Sequence, residues 1–237
     1  MSLPPTVLPP LTLPALLDHV LTAPPPSAAA PTTLVICARR DVFLHDLQRH
    51  YAASTTKLQA LVTPTLSRLA ATQHVQLAFC PSVQSLLAYL TAYGQPRVDG
   101  ASAAAQPRPR LFLVNPLALH APTTSFSAQG LSRTFAAAVE AALVRGAVLA
   151  MVECRGPQPM VGDRGAQEDA DADPTPNLDG DADPWGQEVS MLNVSARRYG
   201  SGSERAWAGR TVTAKRVAAT WFHFCSVNQD QAGDSAV

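Results

Sequence analysis

The sequence predicts an α/β domain built on a mostly parallel central sheet flanked by helices. Three observations predict it. Four short apolar runs, TLVIC, VQLAFC, RLFLV and AVLAMVE, read as strands buried on both faces. Segments of helical periodicity separate them, the pattern of strand–helix–strand units. The chain has 237 residues, enough for one domain with a full core.

In order, residues 1–32 form a Pro/Ala-rich arm. It holds one short amphipathic stretch, Leu13, Leu16, Leu17, Val20 and Leu21, which Pro24, Pro25 and Pro26 terminate. The domain proper is expected over 33–225. Thr33–Cys37 opens it as a strand, and Val42–Tyr51 follows as a helix with Asp41 in its first turn. A second helix spans Pro64–Thr72. Val75–Cys80 is the next strand and Pro81–Tyr93 the next helix, with Val83, Leu86, Leu87 and Leu90 on its apolar face.

Residues 94–109 read as a flexible low-complexity loop. Arg110–Val114 is the third buried strand, and a polar loop over 119–130 follows it. Gly130–Arg145 is the clearest helix, with Leu131, Phe135, Ala138, Val139 and Ala142 at helical spacing. Ala147–Glu153 is the fourth strand.

The stretch 155–186 carries eight acids against Arg155 and Arg164, which predicts a disordered acidic loop. Three β-like runs, Val189–Arg197, Arg210–Lys215 and Val217–Phe224, then predict a C-terminal antiparallel β extension. Residues 226–237 read as a disordered tail.

Composition bounds the function. Apolar residues make up 46% and charged residues only 15%, and 18 basic residues balance 18 acidic ones. Net charge therefore names no partner. No apolar run approaches the roughly 20 residues of a membrane span, and the proline-rich start lacks the basic region of a signal peptide. Cys37, Cys80, Cys154 and Cys225 stand far apart, each within or at the end of an apolar run. They read as buried reduced thiols in an intracellular protein, with no metal-ligand spacing. The sequon at Asn193 is read as chance.

The turn after the first predicted strand is Cys37-Ala38-Arg39-Arg40-Asp41. A phosphate cradle needs glycines to wrap backbone N–H groups around the anion, and a lysine. This turn has neither. Arg39 and Arg40 could meet an anion, or simply face solvent. The RLFLV strand ends at Asn115, where a magnesium site would want a carboxylate. No nucleophile elbow is present, and the six histidines show no ligand spacing. Glu153 is the one carboxylate on an apolar strand; strand ends of open α/β sheets face the ligand crevice. The alternative for it is a structural hydrogen bond. Arg197, Arg198, Arg210, Lys215 and Arg216 cluster with Tyr199 and Trp207, a pattern that can track a phosphate backbone and stack bases. A solvated sheet edge is the other reading.

The segment 123–154, TTSFSAQGLSRTFAAAVEAALVRGAVLAMVEC, resembles the part of RecA-like recombinase cores that follows the magnesium-binding strand. Trp207–Val212 with Val217–Phe222 resembles the closing hairpin of recombinase paralogues. The resemblance spans roughly 33–225 in order of elements. It implies a RecA-like fold with a degenerate nucleotide site at Arg39, Arg40 and Asn115, no cofactor and no catalysis. Among relatives without ATPase motifs, the Shu-type complexes of the fungal kind imply a nuclear accessory protein of homologous-recombination DNA repair. Such a protein has another RecA-like paralogue as partner, possible DNA binding through the basic hairpin, no membrane and no small-molecule substrate. The alternative is a structural subunit of an Elongator-type complex acting in transfer-RNA modification.

Overall fold

Strands covered on both faces are largely apolar, as in β3 Thr32–Ile36, β5 Arg110–Val114 and β6 Val148–Val152; a fourth strand, β4 Val75–Phe79, lies at the edge of the sheet and is partly exposed. The computed structural model describes residues 3–22, 31–52, 63, 65–95, 108–156, 183–191 and 210–225. Within these, the strands pair in parallel and in register, Leu34 opposite Leu77 and Phe112, and Phe112 opposite Ala150.

Two further strands complete the sheet, β1 Thr6–Val7 and β10 His223–Phe224. The order across it is β10-β1-β6-β5-β3-β4, parallel throughout. This is neither of the two common doubly wound orders, because the first strand lies between the last two.

Alternation along each strand sends side chains to two helical layers. Leu34, Ile36, Phe112, Val114, Ala150 and Val152 face one layer, with Leu13, Leu16 and Val20 of α1 (Leu13–Thr22) and Phe43 of α2 (Arg40–Ala52). The helix α3 (Leu66–Thr72) is tied to α1 by the Arg68–Asp18 ion pair at 2.8 Å. Val35, Cys37, Leu111, Leu113, Leu149 and Met151 face the other layer. It holds α4 (Val83–Tyr93) and, past the one-turn α5 (Pro116–His120), α6 (Ala128–Arg145).

Local signals set these helix ends. Ser82 and Ser127 accept the N–H of Ser85 and Gly130 as N-caps. Gly146 stops α6 in the left-handed conformation at φ 61°. A Cβ at Gly130 would collide with the Ser125 carbonyl oxygen, so the preceding loop can fold tightly onto the helix only over glycine. Phe135 is fully buried and meets Phe222 edge-to-face at 5.6 Å between ring centroids. Burying such a ring contributes roughly 2–3 kcal/mol of transfer free energy.

Three expectations change. Residues 1–32 are not simply an arm, because β1 enters the sheet and α1 buries Leu13, Leu16 and Val20. The expected acidic loop has structured ends. Leu11–Thr12 (β2) pairs with Cys154–Arg155 (β7). After 157–182, which lie outside the described residues, a 3-10 turn at Pro184–Gly186 buries Trp185 against Phe224. The antiparallel extension exists as a separate two-stranded sheet, β8 (Glu188–Ser190) with β9 (Thr211–Thr213).

Of the run 217–224 only His223–Phe224 is a strand. Thr213 caps α7 (Ala214–Ala218), which buries Ala214, Val217 and Ala218 at helical spacing. The chain then re-enters the main sheet as β10, parallel to β1. The expected loop over 94–109 falls mostly outside the described residues, as do 226–237.

Candidate functional site

Parallel strands deliver their last residues to one edge. Here that carboxyl edge collects Cys37 after β3, Cys80 after β4, Asn115 after β5 and Glu153 after β6. The helix after β3 lies on one face and those after its neighbour β5 lie on the other. Such a switch point opens a crevice between strand ends, where ligands of open α/β sheets bind. Arg39, Arg40 and Asn115 flank it, so the residues assigned to a degenerate nucleotide site share one place. Arg39 is exposed and paired with Asp41 at 3.0 Å, and Arg40 is exposed in the first turn of α2.

The first strand–loop–helix of the sheet is not the one containing Arg39. It is β1, residues 8–12 and α1. That loop reads Leu8-Pro9-Pro10-Leu11-Thr12. It too lacks glycine and lysine, and its prolines carry no N–H to offer an anion. The sequence hid this turn because a two-residue strand has no periodicity.

Glu153 is buried, at 3% exposure, and its Oε1 accepts the Leu117 N–H at 2.5 Å. The carboxyl also accepts from the backbone of Ala118. These are the first N–H groups α5 has to offer, since Pro116 at its start has none. The side chain therefore caps a helix from a different strand. Desolvation pushes its pKa up to about 8, against the lowering effect of the two N–H donors.

Asn115 makes no side-chain cap. It turns the chain in the left-handed conformation, φ 60° and ψ 43°, which asparagine tolerates better than most residues. Its Oδ1 accepts the Cys154 N–H at 2.6 Å, and its own N–H donates to the Val152 carbonyl at 2.9 Å. Asn115 and Glu153 thus lace the ends of β5 and β6 together. Of the two readings of Glu153, the geometry supplies the structural hydrogen bond.

The other end of α5 is held by His120, fully buried. Its Nε2 lies 3.0 Å from Thr134 Oγ1 and its Nδ1 lies 3.2 Å from the Ser125 carbonyl. With the Nδ1 proton donated to that carbonyl, Nε2 accepts the threonine hydroxyl. Burial lowers its pKa, and the Ser125 contact raises it by less. No sequence spacing pointed to this pair.

A groove of about 300 Å³ opens between the first turns of α4 and α6, lined by Gln84, Ser125, Gln129 and Arg133 among others. Among the described residues no group of His, Cys, Asp or Glu has the geometry of a metal site.

The basic residues lie elsewhere. Arg210, Lys215 and Arg216 are exposed, the first just before β9 and the others on α7 rather than on a hairpin strand. Lys215 Nζ sits 5.5 Å from the centroid of the Phe224 ring. None of the three has a carboxylate partner among the described residues. Arg197 and Arg198, with Tyr199 and Trp207, lie outside them. No helix is long and apolar enough to cross a membrane, among the described residues. No protein-family model matches the chain, and no curated protein matches it.

Proposed function

We propose that this chain is a RecA-like recombinase paralogue without ATPase activity. In this reading it is a nuclear accessory protein of homologous-recombination DNA repair and works in a heteromeric complex with another RecA-like subunit. It contacts DNA through Arg210, Lys215 and Arg216, joined by Arg197 and Arg198, and needs no cofactor.

One observation carries the reading. Glu153 and Asn115 at the carboxyl edge are spent on backbone partners, Glu153 on Leu117 and Ala118 and Asn115 on Cys154, while Arg210, Lys215 and Arg216 face solvent. Both strand–helix turns that could hold phosphate lack the glycines and the lysine to do so. A scaffold arranged this way offers its surface rather than a reaction centre. The parallel sheet with helices on both faces is compatible with a RecA-like core.

A salt titration of binding to single- and double-stranded DNA tests the proposal, with the chain alone and with the partner that co-purifies. Binding should weaken as salt rises, with a log–log slope of roughly −0.9 per phosphate contacted on duplex DNA. Absence of binding at low salt in both preparations removes the DNA part. Transfer RNA preferred over DNA, together with ring-forming partners, replaces it with the Elongator-type alternative.

A further inference from the structure

We propose that Cys37 and Cys80 form a reversible cross-strand disulfide, a redox-sensitive latch at the carboxyl end of β3 and β4. The pairing of these strands sets the geometry. Ile36 stands opposite Phe79, and the Cys80 N–H donates to the Ile36 carbonyl at 2.8 Å. The next pair in that register is Cys37 with Cys80. Neighbouring strands lie about 4.8 Å apart, inside the span of roughly 4.4–6.8 Å between Cα atoms that a disulfide bridges. Both side chains point to the same face, since both belong to the core cluster of Val35, Leu113 and Leu86.

The remaining cysteines are placed so that they cannot compete. Cys154 packs with the cluster on the opposite face of the sheet. Cys225 follows β10, at the far edge of the sheet from β4. Of the four thiols, only Cys37 and Cys80 are cross-strand neighbours.

Access and chemistry fit a slow, regulated reaction. Both thiols are nearly buried, at 3% and 2% exposure. Burial raises both pKa values, so neither is a fast nucleophile in the closed fold. Yet β4 is the edge strand, and Cys80 directly follows its last residue, ahead of the exposed Pro81. Fraying of that strand end uncovers Cys80 while β3 stays held between β4 and β5.

A small disulfide such as oxidised glutathione is the oxidant. The Cys80 thiolate attacks it, forming a mixed disulfide and releasing one glutathione thiol. Cys37 then attacks the protein sulfur of the mixed disulfide and expels the second. The hydrogens of the two protein thiols end on the two glutathione thiols. The same two exchanges run backwards when reduced thiol is in excess, so the link is reversible.

The test equilibrates the folded full chain in mixtures of reduced and oxidised glutathione, followed by acid quenching and peptide mapping. The expected product is a single Cys37–Cys80 link that dithiothreitol removes. It should be absent in Cys37→Ser and Cys80→Ser and retained in Cys154→Ser and Cys225→Ser. The proposal fails if Cys37 and Cys80 stay free in every mixture. It fails equally if either is found linked to Cys154, to Cys225 or only to glutathione. Should the serine variants not fold, as judged by circular dichroism, the map of the unsubstituted chain decides alone.

Discussion

The two ends of α5 and the exposed face of α7 handle polarity in opposite ways. Around α5, a carboxyl and an imidazole are withdrawn from water and satisfied within the fold: Glu153 by Leu117 and Ala118, His120 by Ser125 and Thr134. On α7, Lys215 and Arg216 are exposed, the Lys215 ammonium over the Phe224 ring. Polar groups of the first kind are needed for the structure to close. Those of the second kind add little to folding and are available to a partner. Position in a sheet edge therefore does not by itself mark a reacting group; the partners of that group decide.

The largest effect that can break this contrast is at Glu153. Replacing it by alanine leaves buried N–H groups of α5 without acceptors, at about 1–3 kcal/mol each. Chemical denaturation should show Glu153→Ala losing about 3 kcal/mol and Glu153→Gln, which keeps an acceptor oxygen, losing much less. Equal losses in the two would show that volume, and not the hydrogen bonds, is what matters there.

Next comes the response to pH. The folded state holds a proton on Glu153 up to about pH 8, while the unfolded chain releases it near its ordinary value of 4.5. Folded chains thus bind the extra proton between these values, and stability falls as pH rises through that window. His120 acts in the opposite sense. Its folded pKa lies below 6.5, so the unfolded chain takes the proton first and stability falls as pH drops below 6.5. Thermal melts from about pH 5 to about pH 9 should therefore show Glu153→Gln losing the alkaline decline and keeping the acidic one.

A smaller loss is expected at Asn115. Asn115→Ala places a less tolerant residue at positive φ and removes the acceptor for Cys154, together about 2 kcal/mol. Asn115→Gly restores the backbone and should recover roughly 1 kcal/mol of it. If both variants melt alike, the left-handed turn contributes nothing of its own.

The smallest effect on folding is expected from the double variant Lys215→Glu with Arg216→Glu, within about 0.5 kcal/mol of the parent. Its affinity for DNA should drop several-fold, and the salt dependence should flatten. A variant that folds normally and binds DNA as the parent does would separate these cations from the proposed surface.

What the sequence made legible follows from these physical differences. Strands β3, β5 and β6 were readable because both faces are covered and most positions are apolar, and β4, though a partly exposed edge strand, keeps four apolar residues of five. Strand β1 was not, since two residues carry no period and the prolines around Thr6–Val7 read as an extended arm, and β10 fell in an expected β run but was assigned to the antiparallel extension and not to the main sheet. The helix α7 did leave a signal, Thr213 before Ala214, Val217 and Ala218 at helical spacing, but β-branched neighbours and the following Trp221-Phe222 outweighed it. At the carboxyl edge, Glu153 stood out as a strand-end carboxylate. Its capping of α5 did not, because Leu117 lies 36 residues away. Asn115 was read through the chemistry of metals, whereas backbone conformation explains it better.

The place of β1 in the sheet also sets a timetable for synthesis. Thr6 and Val7 are synthesised long before their partners, which are Ala150 and Met151 on one side and His223 and Phe224 on the other. β1 must wait, unpaired, while more than 140 further residues are made, at a synthesis pace of about 5–20 residues each second. Insertion of β1 between β6 and β10 is then a long-range step of the kind that slows folding. Until it happens, the flank of β6 stays open, and a chaperone or an assembly partner present during synthesis would find it there.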